Sequence, residues 1–305
     1  MPNTPTPDAD MIETITDLGV LRARIRDWKR QGLRIGFVPT MGNLHAGHYS
    51  LVELARLRAD RVVSSVFVNP TQFGPSEDFT RYPRTPDADT AGLQAAGCDA
   101  LWLPDVESMY PFGVELAAKV HVPGVSAVLE GAFRPGHFDG VCTVVSRLFN
   151  QVLPDVAVFG TKDYQQLAVI RQMVADLQFP IDIVGGEIVR EANGLAMSSR
   201  NQYLSDAERA TAAVIHRTLR AMRGAVDAGT LRAQVEADAE AALREAGFVP
   251  DYAVVRRPDF SVPVDGEGGP QVALIAARLG RTRLIDNIEF EVREFDSPGR
   301  ERRES

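Results

Sequence analysis

Two of the chain's five histidines, His45 and His48, stand either side of Ala46 and Gly47 in the stretch PTMGNLHAGHYSLVELAR, Pro39 to Arg56. The residues after them read as a helix. A helix N-terminus offers unpaired backbone N–H groups and a positive dipole end, an anion site that needs no net positive charge on the protein. Gly42 and Gly47 let the backbone approach a ligand closely. Two imidazoles three residues apart would fall on one side of the first turn. Each could donate to a phosphate, and a protonated imidazole would stabilise the charge of a pentacovalent transition state. Capping or surface histidines would share this spacing. The position favours chemistry, because the pair follows a predicted strand at the carboxyl edge, where open α/β sheets bind ligands. Neither the GxxxxGK[ST] loop nor a GxGxxG follows that strand, so another mode of nucleotide binding is implied.

Further loops carry polar groups to the same edge. The next strand runs into VNPTQFGPSEDFTRYPRTPDAD. There Asn69 and Gln72 present donor and acceptor to a polar or carboxylate-bearing substrate, or serve the loop as turn residues beside Pro70. Asp87 and Asp89 could help hold Mg2+, which keeps waters and takes one or two carboxylates besides substrate phosphates, or act as solvated N-cap residues. In GAFRPGHFDGV, Arg134 is a carboxylate clamp or a solvated loop residue, with His137 nearby. In FGTKDYQQ a strand ends at Gly160 and a helix starts near Asp163. Lys162 can reach phosphates as a mobile charge, Asp163 accepts from ribose hydroxyls or caps the helix, and Gln166 faces the same mouth. GLAMSSRNQ adds the hydroxyls of Ser198 and Ser199 and the fork of Arg200, a match for pyrophosphate as leaving group.

The elements that must position these loops follow from periodicity. A helical pattern over Val20 to Trp28 leads into the apolar strand LRIGFVP, the helix HYSLVELARLRAD and the strand RVVSSVFVNP, a βαβ unit of a parallel sheet. The alternation continues through AGLQAAG, CDALWLP, VCTVVSRLFNQVL, DVAVFG, YQQLAVIRQMVADL and IDIVGGEIV. This predicts a doubly wound α/β domain over residues 1–188, with 1–12 as a loose tail. Ser205 and Glu208 form a predicted capping box, followed by Ala-, Arg- and Glu-rich helices to Gly247. Then DYAVVRRP and PQVALIAARLGRTRLIDNI read as strands, the second folded into a hairpin at Leu279 to Arg281. A smaller α+β domain over 189–305 is expected, with about 291–305 disordered.

Composition narrows the class. Of 305 residues, 45% are hydrophobic and 24% charged, and no apolar run approaches the roughly 18 residues of a membrane span. The opening MPNTPTPDAD has neither the basic nor the apolar region of a signal peptide, so a cytoplasmic protein is expected. The net charge of −8 argues against nucleic acid as partner, since counterion release needs a basic surface. Cys98 and Cys142 lie outside any metal-binding or redox spacing and read as small, partly buried thiols.

The stretches FVPTMGNLHAGH, VFVNPTQFGPSEDFTRYPRT, RPGHFDGVCTVVSRLFNQVLPDVAVFGTKDYQQL, VREANGLAMSSRNQYLS and ARLGRTRLIDNI together closely resemble the pantothenate synthetase family, the pantoate–β-alanine ligases. The resemblance covers roughly Gly36 to Ile288. HxGH alone is shared by the wider nucleotidyltransferase superfamily. The resemblance implies a Rossmann-like domain with a smaller C-terminal lid, a cytoplasmic homodimer, and small-molecule substrates pantoate, β-alanine and ATP with Mg2+. Pantoate carboxylate would attack the α-phosphorus of ATP, giving pantoyl adenylate and pyrophosphate. The β-alanine amine would then attack the acyl carbon, giving pantothenate and AMP. His48 matches the proposed proton donor, with His45, Met41, Gly42 and Gly47 in the ATP loop. Gln72 and Gln166 match pantoate-holding positions, Gln72 also stands where β-alanine enters, and Asn69 lines that pocket. Gly160, Thr161, Lys162 and Asp163 match the ribose and phosphate loop, Val189 the adenine edge, and Met197, Ser198, Ser199 and Arg200 the phosphate-gripping loop. Asp89 is the expected metal ligand, although Ala88 and Thr161 stand where the family more often carries acidic or amide residues. Two rivals remain: an HxGH enzyme that stops at nucleotide transfer, and a nucleotide-binding regulator without catalysis.

Overall fold

The computed structural model describes residues 11–74 and 79–293. Within the described residues the chain forms two compact units. The first runs to Val189 and takes back Met197–Ser199, while the second holds Arg190–Ala196 and continues from Arg200.

The first unit is built on six strands, β1 (Glu13–Ile15), β2 (Ile35–Thr40), β3 (Arg61–Val66), β4 (Ala100–Trp102), β5 (Val156–Gly160) and β6 (Asp182–Gly186). They pair in the order β1-β4-β3-β2-β5-β6, and every pairing is parallel. Parallel strands need crossovers, supplied here by α1 (Leu18–Arg30), α2 (Ala46–Arg56), α3 (Pro86–Ala95), α4 (Val106–Met109), α5 (Glu130–Phe133), α6 (His137–Val152) and α7 (Tyr164–Asp176). Helices cover both faces, so neighbouring strand residues feed opposite cores. Phe37, Val63, Ala157 and Phe159 pack in one cluster with Ile25, Phe149 and Ile170. Val38, Val62 and Val158 pack in the other with Val52 and Leu93. Strand order reverses between β2 and β5, and a crevice for ligands is expected outside the carboxyl ends at such a point.

The second unit contains α8 (Asp206–Ala212), α9 (Val214–Asp227) and α10 (Arg232–Glu245) with the antiparallel sheet β7 (Val249–Arg256), β8 (Gly269–Leu279) and β9 (Thr282–Val292). Ser205 and Glu208 make the expected capping box at the start of α8. Gly280, at φ +56°, opens the two-residue turn between β8 and β9.

Some sequence boundaries shift. Strand β1 escapes a pattern search because it is three residues long. Ile12, expected in a loose tail, is buried in the α/β core. Residues Glu291 and Val292, expected to be disordered, pair with Pro270 and Gly269 in the sheet. Of the two expected tails, residues 1–10 and 294–305 lie outside the described residues. Cys98 and Cys142 are both buried, and burial is the main reason their thiols are pushed up to about 12.

Candidate functional site

The site of the first unit is assembled from three adjacent central strands, each delivering a loop at its carboxyl end. After β2, the chain turns through Gly42 at φ +88° and Asn43 at φ +52°. Glycine takes this left-handed backbone without strain, and asparagine tolerates it better than most residues. The turn brings His45 to the N-cap of α2 and His48 to its first turn, where they form a reciprocal capping box. The helix begins at Ala46, two residues earlier than its apolar pattern shows. The rings meet with centroids 4.1 Å apart.

This capping assigns the tautomers. The His45 backbone N–H donates to His48 Nδ1 at 3.3 Å, and the Gly47 N–H donates to His45 Nδ1 at 3.2 Å. A backbone N–H can only donate, so each Nδ1 carries a lone pair and each neutral ring holds its proton on Nε2. His48 is closely surrounded by protein, although one edge keeps partial exposure. Burial, His45 and the Lys162 charge, in that order, push its pKa down to about 3. The expected protonated imidazole is thus replaced by a neutral Nε2–H donor.

Beneath the loop lies Asp89, 2% exposed. One carboxylate oxygen accepts the Leu44 N–H at 2.8 Å and the Thr85 hydroxyl at 3.0 Å; the other accepts the Asn43 N–H at 2.9 Å. Both oxygens are thus engaged by part-buried neutral donors, and in this structure the carboxylate braces the loop. Asp87 is exposed in the first turn of α3. Among the described residues no group of three or more His, Cys, Asp or Glu could hold a metal ion.

The Met197–Ser199 segment joins this loop. Ser199 Oγ donates to the Asn43 carbonyl at 2.9 Å, and the Asn43 side chain donates to the Ser199 carbonyl at 3.4 Å. Met197 N–H donates to the Val189 carbonyl at 2.9 Å. A Cβ at Gly47 would lie 3.0 Å from the His45 ring, so a larger residue there would press on the capping imidazole, while Met197 Cβ at 3.8 Å leaves ordinary contact distance.

After β5, a 3-10 turn spans Thr161–Asp163. Thr161 Oγ1 donates to the Gly186 carbonyl at 2.9 Å, anchoring the turn to β6. Lys162, with its side chain 19% exposed, stands 3.7 Å from the Asp163 carboxylate. In α7, Gln165 is buried and ties down the chain at Val125, Val128 and Glu130, whereas the neighbouring Gln166 is only half-buried.

After β3, a 3-10 turn at Pro70–Gln72 follows Asn69. Asn69 is fully buried and donates to Gln72 Oε1 at 3.1 Å, while Gln72 Nε2 donates to Met41 Sδ at 3.0 Å. This links the turn to the histidine loop. His137 Nδ1 donates to the Gln72 carbonyl at 2.8 Å, so its Nε2 accepts from Arg134 at 3.0 Å. Arg134 is 17% exposed and lies 4.0 Å from Glu130. A Cβ on Gly140 would fall 2.5 Å from the Thr71 carbonyl oxygen, so α6 reaches the turn only because this residue is glycine.

The structure therefore joins His45, His48, Lys162, Met197 and Ser199 in one group and Met41, Asn69, Gln72 and Arg134 in another, with Met41 on the loop that carries the histidines and hydrogen-bonded by Gln72. Arg200 belongs to the second unit. There Arg190 makes a two-pronged ion pair with the buried Asp286, at 2.6 and 3.0 Å, and Glu191 takes a similar pair from Arg209. Sequence reading missed Asn43, Thr85, Tyr110 and Gly140. A Gly-Asn pair after a strand and a Thr four residues before an Asp were the available signals for the first two.

A model of the pantoate-beta-alanine ligase family matches residues 13–289. A relative named pantothenate synthetase, from Xanthomonas oryzae pv. oryzae (strain MAFF 311018), is 72% identical over 280 residues, covering 92% of this chain and 100% of that one. The crystal structure of pantothenate synthetase from Thermus thermophilus superposes with a TM-score of 0.84 at 48% identity, covering 91% of this chain and 99% of that chain. A pantoate-beta-alanine ligase from Francisella tularensis, complexed with beta-gamma ATP and beta-alanine, gives a TM-score of 0.77 at 30% identity, covering 91% and 97%.

Proposed function

Because the chain belongs to the pantoate–β-alanine ligase family, and so joins pantoate to β-alanine as pantothenate, we propose that it does this with ATP through pantoyl adenylate. A pantoate carboxylate oxygen attacks the α-phosphorus and pyrophosphate leaves. The neutral β-alanine amine then attacks the acyl carbon, an amide bond forms, AMP leaves with its phosphate, and the amine's extra proton passes to solvent.

The observation that carries this reading is the paired histidine cap beside Lys162. It presents two Nε2–H donors and one ammonium at the carboxyl edge of the central strands. Phosphoryl transfer of this kind asks for positioning and charge stabilisation rather than a protein nucleophile. His48 donates from neutral Nε2–H to the phosphate oxygens, and Lys162 supplies the full charge. Gln72, Gln166 and Arg134 hold the two acids, with Asn69 behind Gln72, and Asp163, Val189, Met197, Ser198, Ser199 and Arg200 serve ATP. Mg2+ enters as part of the MgATP substrate, held by the phosphates, while Asp89 braces the loop. The ATP- and beta-alanine-bound Francisella relative supports the substrate pair. Family resemblance supports a cytoplasmic homodimer, and no described helix is long and apolar enough to cross a membrane.

Pyrophosphate–ATP isotope exchange with Mg2+ and no β-alanine tests the intermediate. Exchange that depends on pantoate is expected. No exchange, with ATP binding shown separately, would overturn the adenylate step.

A further inference from the structure

The turn after β3 contains a buried polar chain that ends on a residue with no assigned part in substrate binding. We propose that Tyr110 is a positioning residue for the acid substrate: its hydroxyl, acting through Asn69, holds the Gln72 carboxamide with Nε2–H turned to the Met41 side. The proposal rests on the reading that Gln72 binds pantoate.

A short helix delivers Tyr110. Asp105 caps α4 by accepting the Ser108 N–H at 2.7 Å, and Tyr110 closes the helix with its N–H on the Val106 carbonyl at 2.8 Å. The residue is 2% exposed, with the Arg147 guanidinium 5.0 Å above its ring and Phe67 alongside. Its hydroxyl donates to Asn69 Oδ1 at 2.6 Å. Burial keeps the phenol above its ordinary pKa, so the proton it donates is retained at working pH.

The pattern of donors and acceptors carries the effect onward. Asn69 Oδ1 also accepts from the Thr71 hydroxyl at 3.1 Å and from the Thr71 N–H at 3.4 Å, so this end of the amide faces only donors. The Nδ2 end donates to the Gly140 carbonyl and to Gln72 Oε1, both at 3.1 Å. The Gln72 oxygen is thereby occupied, which leaves Nε2 directed at Met41 Sδ, a weak acceptor. A substrate carboxylate or hydroxyl arriving there meets a pre-aligned donor and replaces a poor partner with a good one. Of the Asn69 contacts, the tyrosine bond is the shortest.

Tyr110→Phe keeps the ring, its Phe67 neighbour and the Arg147 contact while removing the donor. The KM for pantoate is expected to rise about fivefold, as for loss of one net hydrogen bond, with KM for ATP unchanged. In a Gln72→Ala background the same substitution should have no further effect on the pantoate KM. An unchanged pantoate KM in Tyr110→Phe would overturn the proposal, as would an undiminished fivefold effect in the Gln72→Ala background. If Gln72→Ala alone leaves the pantoate KM unchanged, the assignment of Gln72 to pantoate fails, and the positioning effect is then read directly. Nuclear magnetic resonance of the Gln72 side-chain amide should show a displaced signal in Tyr110→Phe, and an unmoved signal would overturn the proposal.

Discussion

Replacing Asp89 by asparagine separates two jobs that a carboxylate near an ATP loop can do. In the structure its two oxygens accept three donors, the N–H groups of Asn43 and Leu44 and the hydroxyl of Thr85, at 2.8 to 3.0 Å. An asparagine has one oxygen, so its NH2 group must face either the Asn43 N–H or the Leu44 N–H. One part-buried donor is then left unpaired and the other bonds lose their charge assistance. Together these cost about 2–3 kcal/mol. For a unit of this size that corresponds to a fall in Tm of roughly 5–10 °C. The expected result in thermal denaturation with chelator present and no nucleotide is a fall of that size. In an assay of pantothenate formation the variant should show a raised KM for ATP, because the loop that carries His45 and His48 is loosened. The Mg2+ concentration for half-maximal rate should stay within about twofold of the parent, since one unaltered set of phosphates holds the ion. An unchanged Tm in chelator, with the Mg2+ requirement raised about tenfold or more, would refute the bracing role and return Asp89 to the metal.

Two further outcomes follow from named contacts. The native pKa of His48 near 3 lies below the unfolded value of 6.5, so the unfolded chain takes up a proton first as pH falls. Native stability is therefore lost between about pH 6.5 and pH 3, by at most about 1.4 kcal/mol per pH unit, less a discount for the partly exposed ring edge. Urea unfolding of the parent and of His48→Gln should give a stability difference that moves in the variant's favour on acidification. A difference independent of pH would refute the neutral, buried state. In the second unit, Asp286 has a side chain only 4% exposed and is neutralised by Arg190. Arg190→Leu should cost about 3–5 kcal/mol in urea unfolding, with most of it recovered by adding Asp286→Leu. A loss below about 1 kcal/mol for the single variant would refute the claim that the pair is desolvated.

The α/β layout was readable because its signals are local and repeated. The strands around Phe37, Val63 and Val158 are short apolar runs bounded by turns, and the helices between them keep their own period. The antiparallel hairpin was announced by Gly280, whose left-handed turn falls between two apolar stretches. The histidine loop was found for the same reason: a glycine-bearing turn between strand and helix is visible without knowing what lies next to it. What the sequence did not disclose is how the loops pair with one another. Strand β1 has too few residues to show a period, so only its partner β4 identifies it.

The site residues divide along the same line. His45 and His48 stand together as their spacing implies, but their protonation could not be read, because burial, the largest cause of the lowered His48 pKa, is set by the whole fold, and of the two charges that add to it only His45 is local, Lys162 standing on a turn more than a hundred residues away. For Asp89 the sequence left two local readings, metal ligand and N-cap, and the family resemblance favoured the metal. In the structure it accepts from Thr85, four residues before it, and from Asn43 and Leu44, over forty residues earlier in the chain. Tyr110 and Gly140 were silent in sequence for a different reason: each bears on the site through its bond to Asn69. A tyrosine that ends a four-residue helix, and a glycine inside a long one, become informative only when the Asn69 amide between them is seen to have each of its ends claimed. Residues that contact substrate are constrained by chemistry that motif reading can guess, whereas residues that aim them are constrained by the fold.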